Sequence, residues 1–261
     1  MSYQIGIIGT GNVAWHLARA FENAGHVITD IYNRDIRKAK HFALDFFNAK
    51  ATSKLNFNDS SAQIFILAVS DDAIAEIAPE ILLPKNAILV HTSGSVAMAA
   101  LGYARTENQG VFYPLQTFSK GKAVNFSEIP IGIEAENKMT ENALNSLAKS
   151  ISSKVQLMDS RDRRTIHLAA VFACNFTNHL FTISKGILEN RNLNFDLLEP
   201  LIVETLNKSL EIGPNNAQTG PAKRGDFETL DNHFQALSNN PEIAEIYRAI
   251  SQNIIDYYSE E

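Results

Sequence analysis

Short apolar runs alternate with amphipathic stretches over the first 159 residues of the chain. The runs predict strands and the stretches predict helices, because strands bury residues with a period of two and helices with a period of 3.6. The strands are expected at 5–8, 27–32, 63–69, 87–91, 111–113, 129–134 and 155–158. The helices are expected at 14–24, 37–49, 72–83 and 141–151. This alternation is typical of βαβ units around a parallel sheet.

After Ser160 the pattern indicates helices alone, at 163–188, 197–212, 227–237 and 242–258. A loop rich in Gly, Pro, Asn and Gln is expected at 213–226, and its length makes it a functional candidate. We therefore predict an α/β fold, a doubly wound parallel sheet in residues 1–159, followed by an all-helical domain in residues 160–261. Ligands of such sheets bind outside the carboxyl ends of the strands.

The first strand leads into Gly-Thr-Gly-Asn-Val-Ala at residues 9–14 and then into a helix. This motif predicts a dinucleotide site. Gly9 would form the tight turn, Gly11 would let the backbone approach a pyrophosphate, and Ala14 would let helix and strand pack closely. The helix N-terminus would then face the phosphates. The contacts expected from this turn are Gly9, Thr10, Gly11, Asn12 and Val13.

The end of the second strand indicates which dinucleotide binds. Enzymes that use NAD place a carboxylate there, whereas this chain has Asn33 and Arg34. An arginine can pair with a 2′-phosphate, so NADP is the predicted cofactor. The alternative is that Asp30 is the NAD-type acid, although alternation along the strand would point it away from the crevice.

Three further strand ends are expected at the same crevice. Val69 and Ser70 would line the path of the cofactor, or only begin the next helix. His91 and Ser93 would contact the nicotinamide, or only form a turn around Gly94. Residues 112–118 contain an aromatic, a proline and an amide, and would either close one wall of a pocket or pack between domains.

Polar residues interrupt the apolar helix predicted at 163–188. His167, Asn175, Asn178 and His179 would share one face of it, where each is either satisfied in the core or part of a stripe facing the crevice. Asn175 and His179 are predicted to position the substrate, with His179 as proton donor. Arg224, in the loop, would clamp an anion or only belong to a helix connection. Without carboxylates near these histidines, no metal is expected.

Composition limits the partners. The net charge is −6 and the sequence pI is about 5.7, which argues against binding nucleic acid or an anionic membrane. The polar residues within 168–188 argue against a membrane span and favour a helix buried against protein. The single cysteine, Cys174, is expected to be buried, and it excludes an internal disulfide. With no signal sequence before the first strand, a cytoplasmic location is expected.

Several segments together resemble a bacterial family that joins a Rossmann-like NADP-binding domain to a helical C-terminal domain of unknown function. They are residues 9–14, 32–34, 91–94, 114–118, 169–172, 175–176, 178–179 and 218–222. The chain is more distantly similar to pyrrolinecarboxylate reductase, ketopantoate reductase, and the hydroxyisobutyrate and phosphogluconate dehydrogenases. The hydroxy-acid relatives have a lysine one helical turn before an asparagine, whereas this chain has Val171 at that position before Asn175.

The resemblance implies a nicotinamide-dependent oxidoreductase that dimerises through its helices. We therefore expect an NADP-dependent reductase that transfers hydride to a small C=N or C=O substrate bound between the domains. The alternative is a sensor or scaffold that binds NADP and turns nothing over.

Overall fold

The computed structural model describes residues 2–259. The chain divides into two compact units, Met1–Cys174 and Asn175–Glu261. The helix predicted to open the second domain starts at Ser160, and its part up to Cys174 belongs to the first unit. Arg163, near its start, is buried and ion-paired to Glu134 of the sheet, which ties this end of the helix to the first unit.

The first unit contains an eight-stranded sheet in the order β3-β2-β1-β4-β5-β6-β7-β8. Its strands are β1 (Gln4–Ile8), β2 (Val27–Tyr32), β3 (Lys50–Thr52), β4 (Ile64–Leu67), β5 (Ile88–His91), β6 (Gln109–Pro114), β7 (Ile131–Ala135) and β8 (Val155–Leu157). Seven match the predicted strands. The short, polar edge strand β3 was not predicted.

All strand pairs are parallel except β6 with β7, which is antiparallel with Pro114 opposite Ile131. The segment between these strands contains no crossover helix, so β7 starts beside the end of β6 and must run back. The predicted doubly wound sheet is therefore confirmed with one antiparallel pair.

Both faces of the sheet are covered. On β4, Ile64 and Ile66 belong to one apolar cluster, and Phe65 and Leu67 belong to the other. Burial on both faces explains why this strand is apolar without alternation.

Four helices connect the strands: α1 (Asn12–Asn23), α2 (Ile36–Ala43), α3 (Asp71–Ile77) and α4 (Lys138–Lys149). The helical region contains α5 (Ser160–Ala170), α6 (Thr177–Glu189), α7 (Glu199–Ile212), α8 (Pro214–Ala217), α9 (Pro221–Arg224), α10 (Phe227–Ala236) and α11 (Pro241–Tyr258). The predicted loop at 213–226 thus contains two short helices.

One element of this region was not predicted, and one expectation is wrong. The segment Val171–Phe176 is π-helical and separates α5 from α6 within the helix predicted at 163–188. The expectation of a helix buried against protein at 168–188 is wrong, because the most apolar part of Ser160–Glu189 is 0% buried and Cys174 is exposed. By length and composition, this helix is apolar enough to cross a membrane.

Candidate functional site

The glycine turn has the geometry that the motif predicts. Gly9 has φ +114°, and a Cβ on it would lie 2.2 Å from the carbonyl oxygen of Ala68. Its amide donates to the carbonyl of Tyr32 at 2.9 Å, which joins the turn to the end of β2. Gly11 differs, because a Cβ there would meet nothing within 4 Å and would project into open space.

Helix α1 begins directly after this turn. Its N-cap is Gly11, no side chain caps the first amides, and its first turn carries no acidic residue. The free N–H groups and the helix dipole therefore form an anion site at the place where a pyrophosphate would lie.

A cavity of about 620 Å³ opens beside the turn. Its walls come from the ends of β1, β2, β4 and β5 and from helix α3. It is lined by all the predicted cofactor contacts except His91 and Ser93, namely Gly9, Thr10, Gly11, Asn12, Val13, Asn33, Arg34, Val69 and Ser70. This volume lies in the range of ligand sites.

Asn33 and Arg34 differ in their surroundings. The amide of Asn33 donates to Thr10 Oγ1 at 2.8 Å and its Oδ1 accepts from the Asp35 amide at 2.9 Å, so Asn33 holds the β2 end against the glycine turn. Arg34 is exposed and, in the part of the chain that the structure describes, forms no ion pair. Its guanidinium is available to an anion.

Asp30, the alternative acid, does not line this cavity. Its carboxylate accepts hydrogen bonds from Thr29 and Ser60 and lies beside a different cavity. The structure thus places an arginine, and not this carboxylate, at the cofactor cavity.

The lining residues that were not predicted as contacts include Tyr32, Leu55, Glu76, Ile77 and Glu80. Burial raises the pKa of the Tyr32 hydroxyl, and the negative charge of Glu80 acts in the same direction. Tyr32 could have been inferred from its place beside Asn33, but the others come from segments without a motif.

The segment after β6 reaches back to the glycine turn. Asn12 Nδ2 donates to the Phe118 carbonyl at 3.0 Å, and Lys120 Nζ donates to the Thr10 carbonyl at 2.9 Å. His16 Nε2 also lies 3.0 Å from the Ser119 carbonyl. The predicted wall at 112–118 therefore contacts the turn through residues at its far end and just beyond.

His91 is fully buried, and its Nδ1 accepts from the Ser93 amide at 3.2 Å. Burial lowers the pKa of His91 to about 4, and the positive charge of Arg163 acts in the same direction. The imidazole is thus neutral at pH 7. Neither His91 nor Ser93 lines the cavity, whereas Thr92 between them does. Their predicted contact with the nicotinamide stays a prediction.

Arg163 fixes the turn after β5. Its guanidinium donates to the carbonyls of Ser93 at 3.2 Å and Val96 at 2.7 Å, and pairs with Glu134 at 3.2 Å. Since this side chain is 1% exposed, losing a partner would leave a buried charge unpaired. Helix α5 is thereby held against the turn.

One helical turn after Arg163, His167 lies over Gly94. A Cβ on Gly94 would lie 2.6 Å from His167 Nδ1 and 2.8 Å from the Tyr113 hydroxyl oxygen. The Tyr113 hydroxyl is 3.3 Å from His167 Nδ1. The absence of a side chain at Gly94 therefore permits this histidine–tyrosine pair, which sequence analysis missed because its members are 54 residues apart.

The predicted substrate residues lie in the second unit. Asn175 and His179 are exposed, in the π-helical segment and in α6. Arg224 is exposed at the end of α9 and lies 4.0 Å from the carboxylate of Asp226.

Two known families match the chain. The family described as "NADP oxidoreductase coenzyme F420-dependent" matches residues 4–94, and the "Domain of unknown function (DUF2520)" matches residues 129–254. A comparison with curated protein sequences finds no match.

Solved structures share the fold. A "putative NADP oxidoreductase" from Bacteroides fragilis is 38% identical over 98% of both chains, with a TM-score of 0.89. A reductive aminase from Aspergillus terreus, in complex with NADPH and ethyl levulinate, is 15% identical over 100% of this chain and 95% of its own, with a TM-score of 0.74. A pyrroline-5-carboxylate reductase from Coxiella burnetii is 16% identical over 100% and 98%, with a TM-score of 0.55.

The glycine turn and the cavity beside it have the form of a dinucleotide site. This agrees with the identity to the Bacteroides protein along nearly the whole length of the chain. The predictions of an oxidoreductase class, of NADP as cofactor and of a Rossmann domain followed by helices are confirmed at the level of the family. The chain belongs to the family of NADP oxidoreductases in which an NADP-binding Rossmann domain precedes a DUF2520 domain.

Proposed function

We propose that the protein reduces a small compound containing a C=O or C=N bond, with NADPH as the reductant. The observation that carries this proposal is the cavity in which the glycine turn and the unpaired Arg34 face the same space. The reductive aminase and the pyrroline-5-carboxylate reductase share the fold. Their names describe action on C=O or C=N compounds, which supports the proposed substrate class.

The residues present fit the cofactor. The free amides at the start of α1 would hold the pyrophosphate, and Arg34 would pair with the 2′-phosphate. Leu55 and Ile77 offer apolar surface for the adenine. Ser70 and Thr92 would lie along the other half of the molecule, since β4 and β5 follow β1 in the sheet. When bound, NADPH supplies the hydride.

The substrate would lie between the domains. Asn175 and His179 would position it, and Arg224 would neutralise an anionic substituent. The exposure of these three side chains is consistent with such roles. A cytoplasmic location fits the exposed thiol of Cys174, which a reducing compartment would protect.

We also propose that the protein is a homodimer through its helical region. Large apolar side chains are exposed there, among them Leu197 at 65%, Leu201 at 63% and Leu210 at 87%. Apolar patches of this kind mark interfaces. Light scattering at micromolar concentration should give the mass of a dimer, and that of a monomer would refute the proposal. If the protein instead floats with lipid vesicles in a density gradient, the apolar helix at 160–189 is assigned to a membrane.

A substrate screen tests the activity. Purified protein and NADPH are mixed with 2-oxo acids, simple ketones and cyclic imines, and the loss of NADPH absorbance is followed. Consumption with at least one class, confirmed by identifying the reduced product, is expected. Tight NADPH binding without consumption by any compound would overturn the proposal and favour an NADP sensor.

A further inference from the structure

His167 and Tyr113 form a pair that the cofactor site does not use. Tyr113 is 7% exposed, whereas His167 is half-buried. Burial raises the pKa of the Tyr113 hydroxyl, so the phenol keeps its proton at neutral pH. Among residues 2–259, the only hydrogen bond of His167's ring is the one between Nδ1 and Tyr113, which leaves Nε2 free to face a ligand.

The pair lies on the cofactor's side of the sheet. Tyr113 is near the carboxyl end of β6, and Gly94 follows the carboxyl end of β5, which is parallel to β6. Gly94 is two residues after Thr92, which lines the cofactor cavity. Neighbouring strands are about 4.8 Å apart, so the pair is about one strand beyond the end of that cavity.

The turn between them is fixed at both sides. Ser95 Oγ donates to the carboxylate of Asp71, next to Ser70 in the cavity wall. On the other side Arg163 binds the carbonyls of Ser93 and Val96. The distance between the cavity and His167 is therefore set by a rigid segment.

We propose that His167 is the proton donor of the reduction and that Tyr113 is its positioning residue. This inference rests on the proposed function and replaces the sequence-based choice of His179 for that proton. Nδ1–H of the imidazolium donates to the Tyr113 oxygen, which orients Nε2–H towards the substrate.

The step balances with one proton. The C=O π bond of the substrate breaks as its carbon accepts the hydride and its oxygen accepts the proton from His167 Nε2. The imidazolium thereby becomes neutral imidazole. Its Nδ1–H stays hydrogen-bonded to the Tyr113 oxygen, and Nε2 then takes a new proton from water. A ketone or a neutral imine needs this proton, whereas a quaternary iminium ion becomes a neutral amine by accepting hydride alone.

The reaction test compares these two kinds of substrate. His167→Gln should lower the ratio of ketone turnover to quaternary iminium turnover by about a hundredfold, the usual size of general acid catalysis. Tyr113→Phe should lower kcat for the ketone while KM for NADPH stays the same. His233→Gln is the matched control, because His233 makes an equivalent 2.9 Å contact to Tyr247 in the second unit. It should leave the ratio as in the wild type.

A second test does not depend on turnover. Diethyl pyrocarbonate modifies accessible histidines, and the modified peptides are quantified by mass spectrometry. NADPH should protect His167, 2′,5′-ADP should not, and His233 should react equally in all samples. If wild-type protein reduces neither substrate, the proposed function fails. If it reduces the ketone but His167→Gln does so equally well, or if NADPH leaves His167 fully reactive, the assignment of His167 is wrong.

Discussion

Arg34 should determine the preference for NADPH over NADH. Its guanidinium lies at the cofactor cavity, is exposed and forms no ion pair within residues 2–259, so it can approach a 2′-phosphate without breaking an existing contact. Because the Arg34 side chain is exposed, a water-like dielectric applies. Two unit charges 4 Å apart then gain about 1 kcal/mol. A phosphate carries a charge of about −1.5 to −2, so the contact is worth about 1.5 to 2 kcal/mol.

This free energy corresponds to a preference of about ten- to thirtyfold. Arg34→Ala should remove it by weakening NADPH binding, while the Kd for NADH stays within about twofold. Fluorescence titration with both cofactors measures the effect. The preference should also shrink with added salt, since an exposed ion pair is screened.

Arg37→Ala is the matched control. Arg37 lies three residues further on, but its guanidinium already pairs with Asp35 at 3.1 Å, and this contact holds the pKa of that carboxyl below its usual range. Its removal should change the preference little. Equal affinities of the wild type for NADPH and NADH, or an unchanged preference in Arg34→Ala, would refute the reasoning.

Gly11→Ala should melt like the wild type, because the new Cβ meets no protein atom, yet lose NADPH binding, because that Cβ projects into the space of the pyrophosphate. Gly9→Ala should unfold at a clearly lower temperature, because Gly9 has a φ of +114° and the new Cβ would collide with the Ala68 carbonyl. His91 has a pKa of about 4 against 6.5 when unfolded, so the unfolded chain binds more protons. Stability should therefore fall by about 3 kcal/mol as the pH drops from 7 towards 4, and His91→Gln should flatten this dependence in urea titrations. His179→Ala should melt within a few degrees of the wild type, bind NADPH normally and raise the substrate KM, whereas a large loss of stability with normal turnover would make His179 a packing residue.

The sheet could be predicted because its strands are apolar on both faces. The glycine turn could be predicted because its requirements are local, from Gly9 to Ala14. Strand β3 was missed since Lys50–Thr52 carries no apolar signal and is held only at the edge by β2. The antiparallel direction of β7 was missed since it depends on the absence of a crossover helix and not on the residues of the strand itself.

The contacts that complete the site are less accessible to sequence analysis. Gly94, Tyr113 and His167 lie in three different segments, and no spacing along the chain indicates that they are in contact. The exposure of Cys174 and its neighbours contradicts the prediction that they are buried. Hydropathy could not decide this, because an apolar helix can be covered by its own chain or by another molecule.

The hydrogen bond from Lys120 to the Thr10 carbonyl limits how modular the nucleotide-binding half of the domain is. The segment 4–34 contains the glycine turn and Arg34, but the ammonium group beside the turn belongs to a residue 110 positions away from Thr10. A chimera that carries only residues 4–34 on another sheet would inherit the backbone amides without this cation. Grafts that aim to transfer phosphate affinity therefore need the segment around Lys120 as well.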